Sequence, residues 1–255
     1  MAPLLDSLIS RRRLVLGTLT VLAGAVVAAC TGRGQTAVTS SPSPSASTSP
    51  SAIQTPACVV TPTETEGPYF VDERLNRSDI TIDPTGGGAR PGVPLALAFT
   101  IARVGSGGCT ALNGAQVDVW HCDAGGVYSD VAANNSAGKK FLRGYQVTDS
   151  AGVAKFTTIY PGWYQGRAVH VHFKIRTFSG SSKTFEFTSQ IFFDDTVTDA
   201  VFKVAPYSSR GSRDTRNQND MVYTSNNNSG AMLLAALTET SAGYAASFAV
   251  GLNLT

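Results

Sequence analysis

Histidine is scarce in this 255-residue sequence, and several features that often direct a functional assignment are missing from it. The chain has 3 histidines and 4 cysteines, and no Cys-x-x-Cys pair occurs, so a zinc site built from cysteines has no support. Lys and Arg total 20 against 18 Asp and Glu and form no basic patch, which excludes nucleic acid as an expected partner. Helical periodicity is weak, which argues against an all-α fold.

Residues 1–29 are predicted to be an export signal. Three consecutive arginines, Arg11 to Arg13, enter an uncharged apolar stretch that ends at Ala29. This stretch is short for a membrane span, which needs about 20 residues, and its flanks are those of a signal peptide. The paired arginines favour the twin-arginine type. A Sec-type signal that is rich in arginine is the alternative.

Cys30 follows the small residues of a segment that resembles a bacterial lipoprotein cleavage box. We therefore expect Cys30 to be the lipidated mature N-terminus; a coincidental cysteine in a freely secreted protein is the alternative. Residues 30–57 are rich in Ser, Pro and Thr and are predicted to be a disordered tether. We expect the protein to lie on the extracellular face of the membrane, attached only through the lipid, or to be secreted into the medium.

Residues 58–255 are predicted to form one all-β domain, an antiparallel β-sandwich. Apolar, β-branched runs separated by Gly- and Ser-rich turns support this fold. A few short helices are expected, near 199–205 and 232–237, and the long polar loops 131–140 and 207–228 are expected to shape a binding site. The predicted strands are 94–104, 115–121, 141–148, 154–159, 169–177, 184–193 and 244–254.

Two strand pairs are predicted to be hairpins. The turn sequence Asp149-Ser150-Ala151-Gly152 separates 141–148 from 154–159, and a Ser-Gly-Ser-Ser sequence separates 169–177 from 184–193.

Three cysteines remain in the folded domain once Cys30 is set aside. In an exported protein two of them are expected to form a disulfide. We expect Cys58 to pair with Cys109 and Cys122 to be a buried free thiol, although sequence alone does not determine the pairing.

His170 and His172 are two of the three histidines, and they lie in an apolar run typical of a strand. Residues two apart on a strand point to the same face, so both imidazoles are expected to project into one pocket. A buried histidine pair is a candidate metal site. A carboxylate as third ligand would make it an iron(II) site, and the candidate carboxylates are Asp118, Asp123, Asp194 and Asp195.

Tyr128 and Tyr164 are less obvious candidate ligands. Tyr128 follows a Gly-Gly turn directly after a predicted strand, and Tyr164 lies in a Pro-Gly-Trp-Tyr turn that leads into the histidine strand. Positions where a strand meets a loop often carry site residues. Taken singly, either tyrosine is better explained as a rim residue that packs its ring.

Four segments together resemble the intradiol ring-cleavage dioxygenases, the non-haem iron(III) enzymes that include protocatechuate and catechol dioxygenases. They occur in the family's order and spacing and span most of the folded domain. The segments are 63–70 (TETEGPYF), 117–129 (VDVWHCDAGGVYS), 160–164 (YPGWY) and 167–173 (RAVHVHF).

The resemblance implies that residues 58–255 are the catalytic domain and that one non-haem iron(III) is bound per chain by Tyr128, Tyr164, His170 and His172. It implies O2 and a small aromatic diol of the catechol, protocatechuate or hydroxyquinol type as substrates. The diol would be cleaved between its two hydroxyl-bearing carbons to give a cis,cis-muconate, with Tyr164 displaced by the substrate and acting as a proton acceptor.

Further residues receive roles from the same resemblance. Arg167 would stabilise negative charge on the substrate ring, although an arginine in a surface salt bridge is the alternative. Gln190 would be a hydrogen-bonding residue near the substrate, and Tyr69 would line the pocket. Other buried-type residues are interpreted as structural or packing residues: His121, Trp120 and Trp163.

Departures from the family pattern limit the prediction. The N-terminal helical region with which the catechol branch dimerises has no counterpart here, and the export features are similar to those of extracellular actinobacterial members. A homodimer is one candidate assembly that the sequence does not decide. The alternative functions are a non-catalytic exported β-sandwich binding module and a metallohydrolase with a carboxylate ligand.

Overall fold

The computed structural model of the protein describes residues 58–254. The predicted export signal, Cys30 and the tether lie outside the described residues, so these remain predictions. Within residues 58–254, no helix has the length and apolar character that a membrane crossing requires.

The described residues form mainly strands joined by turns and a few short helices. The helices are α1 (Asp195–Val201) and α2 (Ser225–Asn228), with 3-10 turns at Ala132–Asn134, Tyr207–Arg210, Asn217–Asn219 and Ser229–Leu233. The strands are β1 (Ile82–Asp83), β2 (Gly88–Ala89), β3 (Pro94–Gly105), β4 (Gly108–Ala111), β5 (Gln116–Trp120), β6 (Arg143–Val147), β7 (Val153–Ile159), β8 (His170–Ser179), β9 (Ser182–Phe192), β10 (Ala236–Glu239) and β11 (Tyr244–Leu252).

Two main sheets make the sandwich. One has the strand order β6-β5-β8-β9, and the other has the order β10-β11-β3-β4 with β7 also paired to β3. All these pairs are antiparallel except β11 with β3, which run parallel and make the second sheet mixed. The core lies between the sheets, where Phe99 of β3 meets Phe173 of β8 with ring centroids 5.0 Å apart. The prediction of an all-β sandwich is confirmed.

One predicted hairpin is wrong and the other is confirmed. β8 and β9 pair antiparallel across a turn, as expected. By contrast, β6 pairs with β5 in one sheet while β7 pairs with β3 in the other. The turn between them does form, with Gly152 N–H donating to Asp149 O at 2.8 Å. It carries the chain from one sheet to the other, a crossover that the local turn sequence does not reveal.

The helix predictions also need correction. The helix expected at 199–205 begins earlier, at Asp195, because the Asp194 side chain accepts hydrogen bonds from the N–H groups of Thr196 and Val197. The helix expected at 232–237 is absent from this part of the described chain. A 3-10 turn ends there at Leu233 and β10 follows, since the segment pairs with β11.

The outward face of the β6-β5-β8-β9 sheet is buried as well, by residues 62–73, which we call the covering segment. Its Glu64 N–H donates to Thr188 O at 3.2 Å, and Ser189 Oγ donates to Pro62 O at 2.8 Å. The Phe70 ring packs on Trp120 with centroids 4.9 Å apart. Because of this cover, both faces of β8 are shielded from water, and polar groups on its outward face need internal partners.

Candidate metal centre

The histidine pair lies at the start of β8, on the outward face of the sheet. Val171 and Phe173 point into the core between the sheets, so the alternating His170 and His172 point the other way. Both imidazoles are almost fully buried. Their Nε2 atoms are 3.1 Å apart, which brings two potential ligand atoms to one point.

The two tyrosines reach the same point from two different turns. Tyr128 follows the Gly125-Gly126 turn after β5, where Asp123 fixes the backbone by accepting from Val127 N–H at 2.9 Å. The Tyr128 hydroxyl is 3.4 Å from His170 Nε2, and the Tyr164 hydroxyl is 3.0 Å from the same atom. Four side chains from three separate segments therefore converge on one small volume.

Each histidine presents Nε2 to the cluster for a different reason. His170 Nδ1 donates to the Ala168 carbonyl at 2.7 Å, so its Nε2 keeps a free lone pair. His172 Nδ1 has no hydrogen-bond partner within the described residues. Its ring is held by stacking on Trp120, with centroids 5.0 Å apart and planes 5° apart. A side chain at Gly67 would meet His172 Cε1 at 3.3 Å, so the bare backbone of Gly67 closes this edge.

Burial sets the protonation states of the four groups at neutral pH. It lowers the pKa of both histidines, and the Arg167 charge lowers the pKa of His170 further. Burial raises the pKa of Tyr164 to about 12 and that of Tyr128 well above its ordinary value. The cluster is thus two neutral imidazoles and two phenols, and only a bound cation would favour removal of the phenol protons.

This donor set fits a hard, highly charged cation. Adjacent ligands about 2.1 Å from one ion at right angles lie about 3 Å apart, which is the spacing seen around His170 Nε2. Two phenolates would neutralise most of the charge of iron(III). Among the described residues, no group of three or more His, Cys, Asp or Glu side chains could hold a metal.

The carboxylates considered as alternative ligands are all engaged elsewhere. Asp194 caps α1, and the other three pair with arginines. These pairs are Asp118 with Arg176, Asp123 with Arg90, and Asp195 with Arg213. The geometry therefore does not support the alternative of a metal site in which one of these carboxylates is the third ligand.

Arg167 lies beside the cluster with its guanidinium directed at Tyr164. Its Nη1 is 3.4 Å from the Tyr164 hydroxyl, and its Nη2 donates to Gln190 Oε1 at 2.7 Å. Gln190 is fully buried and donates from Nε2 to Thr65 O at 2.8 Å, which ties the covering segment to the site. Arg167 does form a salt bridge, with Asp220, but the Asp220 side chain is fully buried. Sequence reasoning missed Asp220 altogether.

Tyr69 of the covering segment lies over the two candidate tyrosine ligands. Its ring stacks on Tyr128 with centroids 4.5 Å apart and meets Tyr164 edge-on at 6.1 Å. Tyr128 is buried while Tyr69 and Tyr164 are half-buried, so the latter two form the solvent side of the cluster. Tyr69 is therefore in a position to line a substrate pocket.

The remaining candidates lie outside the cluster. His121 is buried, with Nδ1 2.8 Å from Cys122 O and Nε2 2.7 Å from Thr158 Oγ1, which fits its interpretation as structural. Cys122 is a buried free thiol. Cys58 and Cys109 are joined in a disulfide with their Cα atoms 5.4 Å apart, which links the start of the folded part to β4.

A β-sandwich in which two phenols and two imidazoles meet beside an arginine offers a donor set that fits a non-haem metalloenzyme. Comparison with known proteins narrows this class. A family model described as Dioxygenase matches residues 65–222, which include all four candidate ligands. The chain belongs to this family, the intradiol ring-cleavage dioxygenases. Comparison with curated protein sequences finds no match.

Solved structures agree with this assignment. An intradiol ring-cleavage dioxygenase from Tetranychus urticae has a TM-score of 0.67 and 28% identity, over 77% of this chain and 96% of that one. The dioxygenase domain of a dioxygenase carbohydrate-binding protein fusion from Streptomyces sp. SirexAA-E has a TM-score of 0.55 and 25% identity, over 77% of this chain and 100% of that one. Catechol 1,2-dioxygenase from Pseudomonas arvilla C-1 shares the fold, with a TM-score of 0.51 and 24% identity, over 76% of this chain and 62% of that one.

Proposed function

We propose that this chain is an exported, non-haem iron(III)-dependent intradiol dioxygenase that opens a catechol-type ring between its two hydroxyl-bearing carbons. The observation that supports the proposal most directly is the approach of Tyr128, Tyr164 and His172 to within 3.0–3.4 Å of His170 Nε2. One iron per chain follows from the single cluster of this composition in residues 58–254.

Bound iron(III) would supply a Lewis acid that draws electron density from the substrate oxygens and makes the ring reactive towards O2. The chain's own residues have separate tasks. Tyr164, on the solvent side, would accept a proton at Oη from a catechol hydroxyl as the substrate enters. Arg167 Nη1, 3.4 Å from that oxygen, would stabilise the negative charge that develops there.

Tyr69 and Gln190 would shape the space in which the ring is held. Tyr69 offers an aromatic face at the solvent side of the ligand cluster, and planar rings favour offset or edge contacts with such a face. Gln190 would act by holding Arg167, because its carbonyl oxygen is already occupied by the guanidinium. Burial of Tyr128 and the cover of residues 62–73 would keep bulk water away from the metal.

The reaction balances without an external reductant. A catechol plus O2 gives a cis,cis-muconic acid, with both oxygen atoms retained in the product. Catechol, protocatechuate and hydroxyquinol types are the candidate substrates, by similarity to the family.

We further propose that the enzyme acts outside the cell. The proposed twin-arginine signal, lipidated Cys30 and tether would place the domain on the extracellular face of the membrane, where catechols derived from plant aromatics or lignin are candidate substrates. Cys30→Ser should then release the protein from the membrane fraction. Continued membrane association of this variant would refute the lipid anchor.

The visible absorption spectrum of the purified protein tests the metal and the substrate class together. Iron(III) held by tyrosinates should give a burgundy charge-transfer band, and catechol added without O2 should shift it to longer wavelength. A protein that stays colourless after iron(III) reconstitution would refute the ligand set. A coloured protein with no response to catechol would refute the substrate class alone.

A further inference from the structure

Asp220 lies between α1 and α2 and forms a salt bridge with Arg167. Its side chain is fully buried. One oxygen, Oδ2, accepts hydrogen bonds from Arg167 Nε at 2.9 Å and from Ala168 N–H at 2.6 Å. The other, Oδ1, accepts from the N–H groups of Val222 at 2.7 Å and Tyr223 at 3.1 Å. All four partners are donors, an arrangement that only a carboxylate satisfies.

The bond to Arg167 determines which edge of the guanidinium faces the metal cluster. Asp220 holds Nε and Gln190 holds Nη2, so Nη1 is the nitrogen left to point at the Tyr164 hydroxyl. A guanidinium is planar and rigid, so two such bonds fix its orientation. Without Asp220, one bond to Gln190 would leave the group free to rotate.

The bond to Ala168 reaches the histidine strand. The Ala168 N–H donates to Asp220, and the Ala168 carbonyl accepts from His170 Nδ1 at 2.7 Å. That second bond determines which His170 nitrogen keeps its lone pair for a metal. One buried carboxylate is thus hydrogen-bonded directly to the arginine and connected to a candidate ligand through Ala168.

We propose that Asp220 is a positioning residue of this site, which orients Arg167 towards Tyr164 and fixes the backbone at Ala168, whose carbonyl directs His170. Its effect on turnover rests on the proposed function, whereas its effect on residues 167–170 does not.

The ionisation of Asp220 is consistent with this task. Burial alone would raise the pKa of the carboxyl, but the Arg167 charge and the N–H donors outweigh burial and hold its pKa below the ordinary value. Asp220 is therefore charged at neutral pH and compensates the Arg167 charge inside the protein.

Asp220→Asn tests the proposal because it keeps the shape but replaces two acceptor positions by donors. In the iron-loaded enzyme we expect kcat to fall at least about tenfold with a small change in KM, because Arg167 is misplaced and not removed. In an Arg167→Ala background the same change should reduce kcat by a clearly smaller factor than in the wild type, because only the route through Ala168 then remains. Asp220→Glu, which keeps the charge, should recover part of the loss.

Asp195→Asn is the matched control. Asp195 also pairs with a buried arginine, Arg213, and accepts a backbone N–H, from Asn217 at 3.3 Å, but it contacts none of the proposed ligands. It should lose stability without a specific loss of kcat. Equal effects of the two variants on kcat, or additive effects of Asp220→Asn and Arg167→Ala, would overturn the positioning role.

Hydrogen–deuterium exchange of residues 167–170 provides a readout that needs neither iron nor turnover. Exchange at the Ala168 amide should be faster in Asp220→Asn and Asp220→Glu than in Asp195→Asn. Unchanged exchange would overturn the proposal even if the enzyme is active. If the iron-loaded wild type turns over no catechol but exchange is still faster in Asp220→Asn, the positioning role would be supported and the proposed function refuted.

Discussion

Both ends of the outward face of β8 carry buried polar side chains, but these side chains have different partners at the two ends. His170 and His172 occupy one end, Lys174 and Arg176 the other, and all four side chains are buried under the covering segment. At the charged end every cation has a carboxylate partner. Lys174 pairs with Glu66 and Glu186, and Arg176 pairs with Asp72 and Asp118.

At the histidine end the polar groups have no such partners. The Nε2 atoms of the two imidazoles lie 3.1 Å apart and share one buried space with the hydroxyls of Tyr128 and Tyr164. At the charged end every buried cation is already paired with a carboxylate, so this end contributes to stability. At the histidine end the two Nε2 atoms and two hydroxyls would be paired by a bound cation.

Substitution at either end should therefore separate metal binding from structure, and the largest effect is expected from His172→Ala. Removing one of four proposed ligands should weaken iron(III) binding more than about a hundredfold, beyond the usual effect of an outer-shell change. Lys174→Met, two residues along the same face, should retain iron because its partners Glu66 and Glu186 can be hydrated. Iron content and the visible band measure both. If His172→Ala keeps a full complement of iron, the histidine end would not be the metal-binding end of β8.

Tyr164→Phe should have the next largest effect. Both tyrosines are protonated at neutral pH without a metal, so iron(III) uptake should release one proton more from the wild-type chain than from the variant. Iron should be retained in large part with a changed colour, and turnover should fall about a hundredfold through loss of a proton acceptor. A pH indicator in weak buffer measures the difference in proton release. Equal release from the two proteins would exclude Tyr164 as a ligand.

At the charged end, Asp118→Asn should cost stability and leave iron in place. Asp118 accepts from Arg176 Nη2 at 2.7 Å and Nε at 3.0 Å inside the protein. Because Asp72 still pairs with Arg176, we expect a loss of about 2 kcal/mol of unfolding free energy, less than for a completely broken buried pair. Lys183→Gln, which removes an exposed ion pair with Glu186, should cost under about 0.5 kcal/mol. Urea unfolding monitored by fluorescence measures both, and loss of iron from Asp118→Asn would contradict the division.

Much of this arrangement was predictable because it is local. Alternation along β8 is encoded residue by residue, so the same-face histidine pair follows from the sequence, and so does the existence of each long strand. The register between strands is not local. It places Trp120 opposite His172 and turns a residue interpreted as packing into the support of a candidate ligand.

Long-range pairing explains the errors as well. The turn at Asp149 to Gly152 is correctly encoded, but the sheets in which its two flanking strands pair depend on β5 and β3. Asp220 lies far along the chain from Arg167, in a polar loop with no periodic pattern, and nothing in its neighbours marks it as buried. Only the fold shows that a loop carboxylate meets the arginine.

Mild acid should destabilise the protein through its buried histidines, of which His121 lies outside the cluster, before it affects the ion pair of Asp72 at the charged end. Burial lowers the pKa of all three histidines, that of His121 to about 4, so the folded metal-free protein binds fewer protons than the unfolded chain. Stability from this source is complete above about pH 6.5 and falls as the pH drops towards 4, by up to about 1.4 kcal/mol per unit for each histidine. His121→Gln should reduce this slope.

Asp72, at the charged end, should respond in a lower pH window than the histidines. Arg176 lowers the pKa of Asp72 below its ordinary value of 3.8, so the stability that this pair contributes is lost only as the pH falls below that value. Asp72→Asn should then run parallel to the wild type between pH 6.5 and 4.5 in urea unfolding, while His121→Gln does not. A flattened slope in Asp72→Asn would mean that the ion pair with Arg176, and not the buried imidazoles, responds to mild acid.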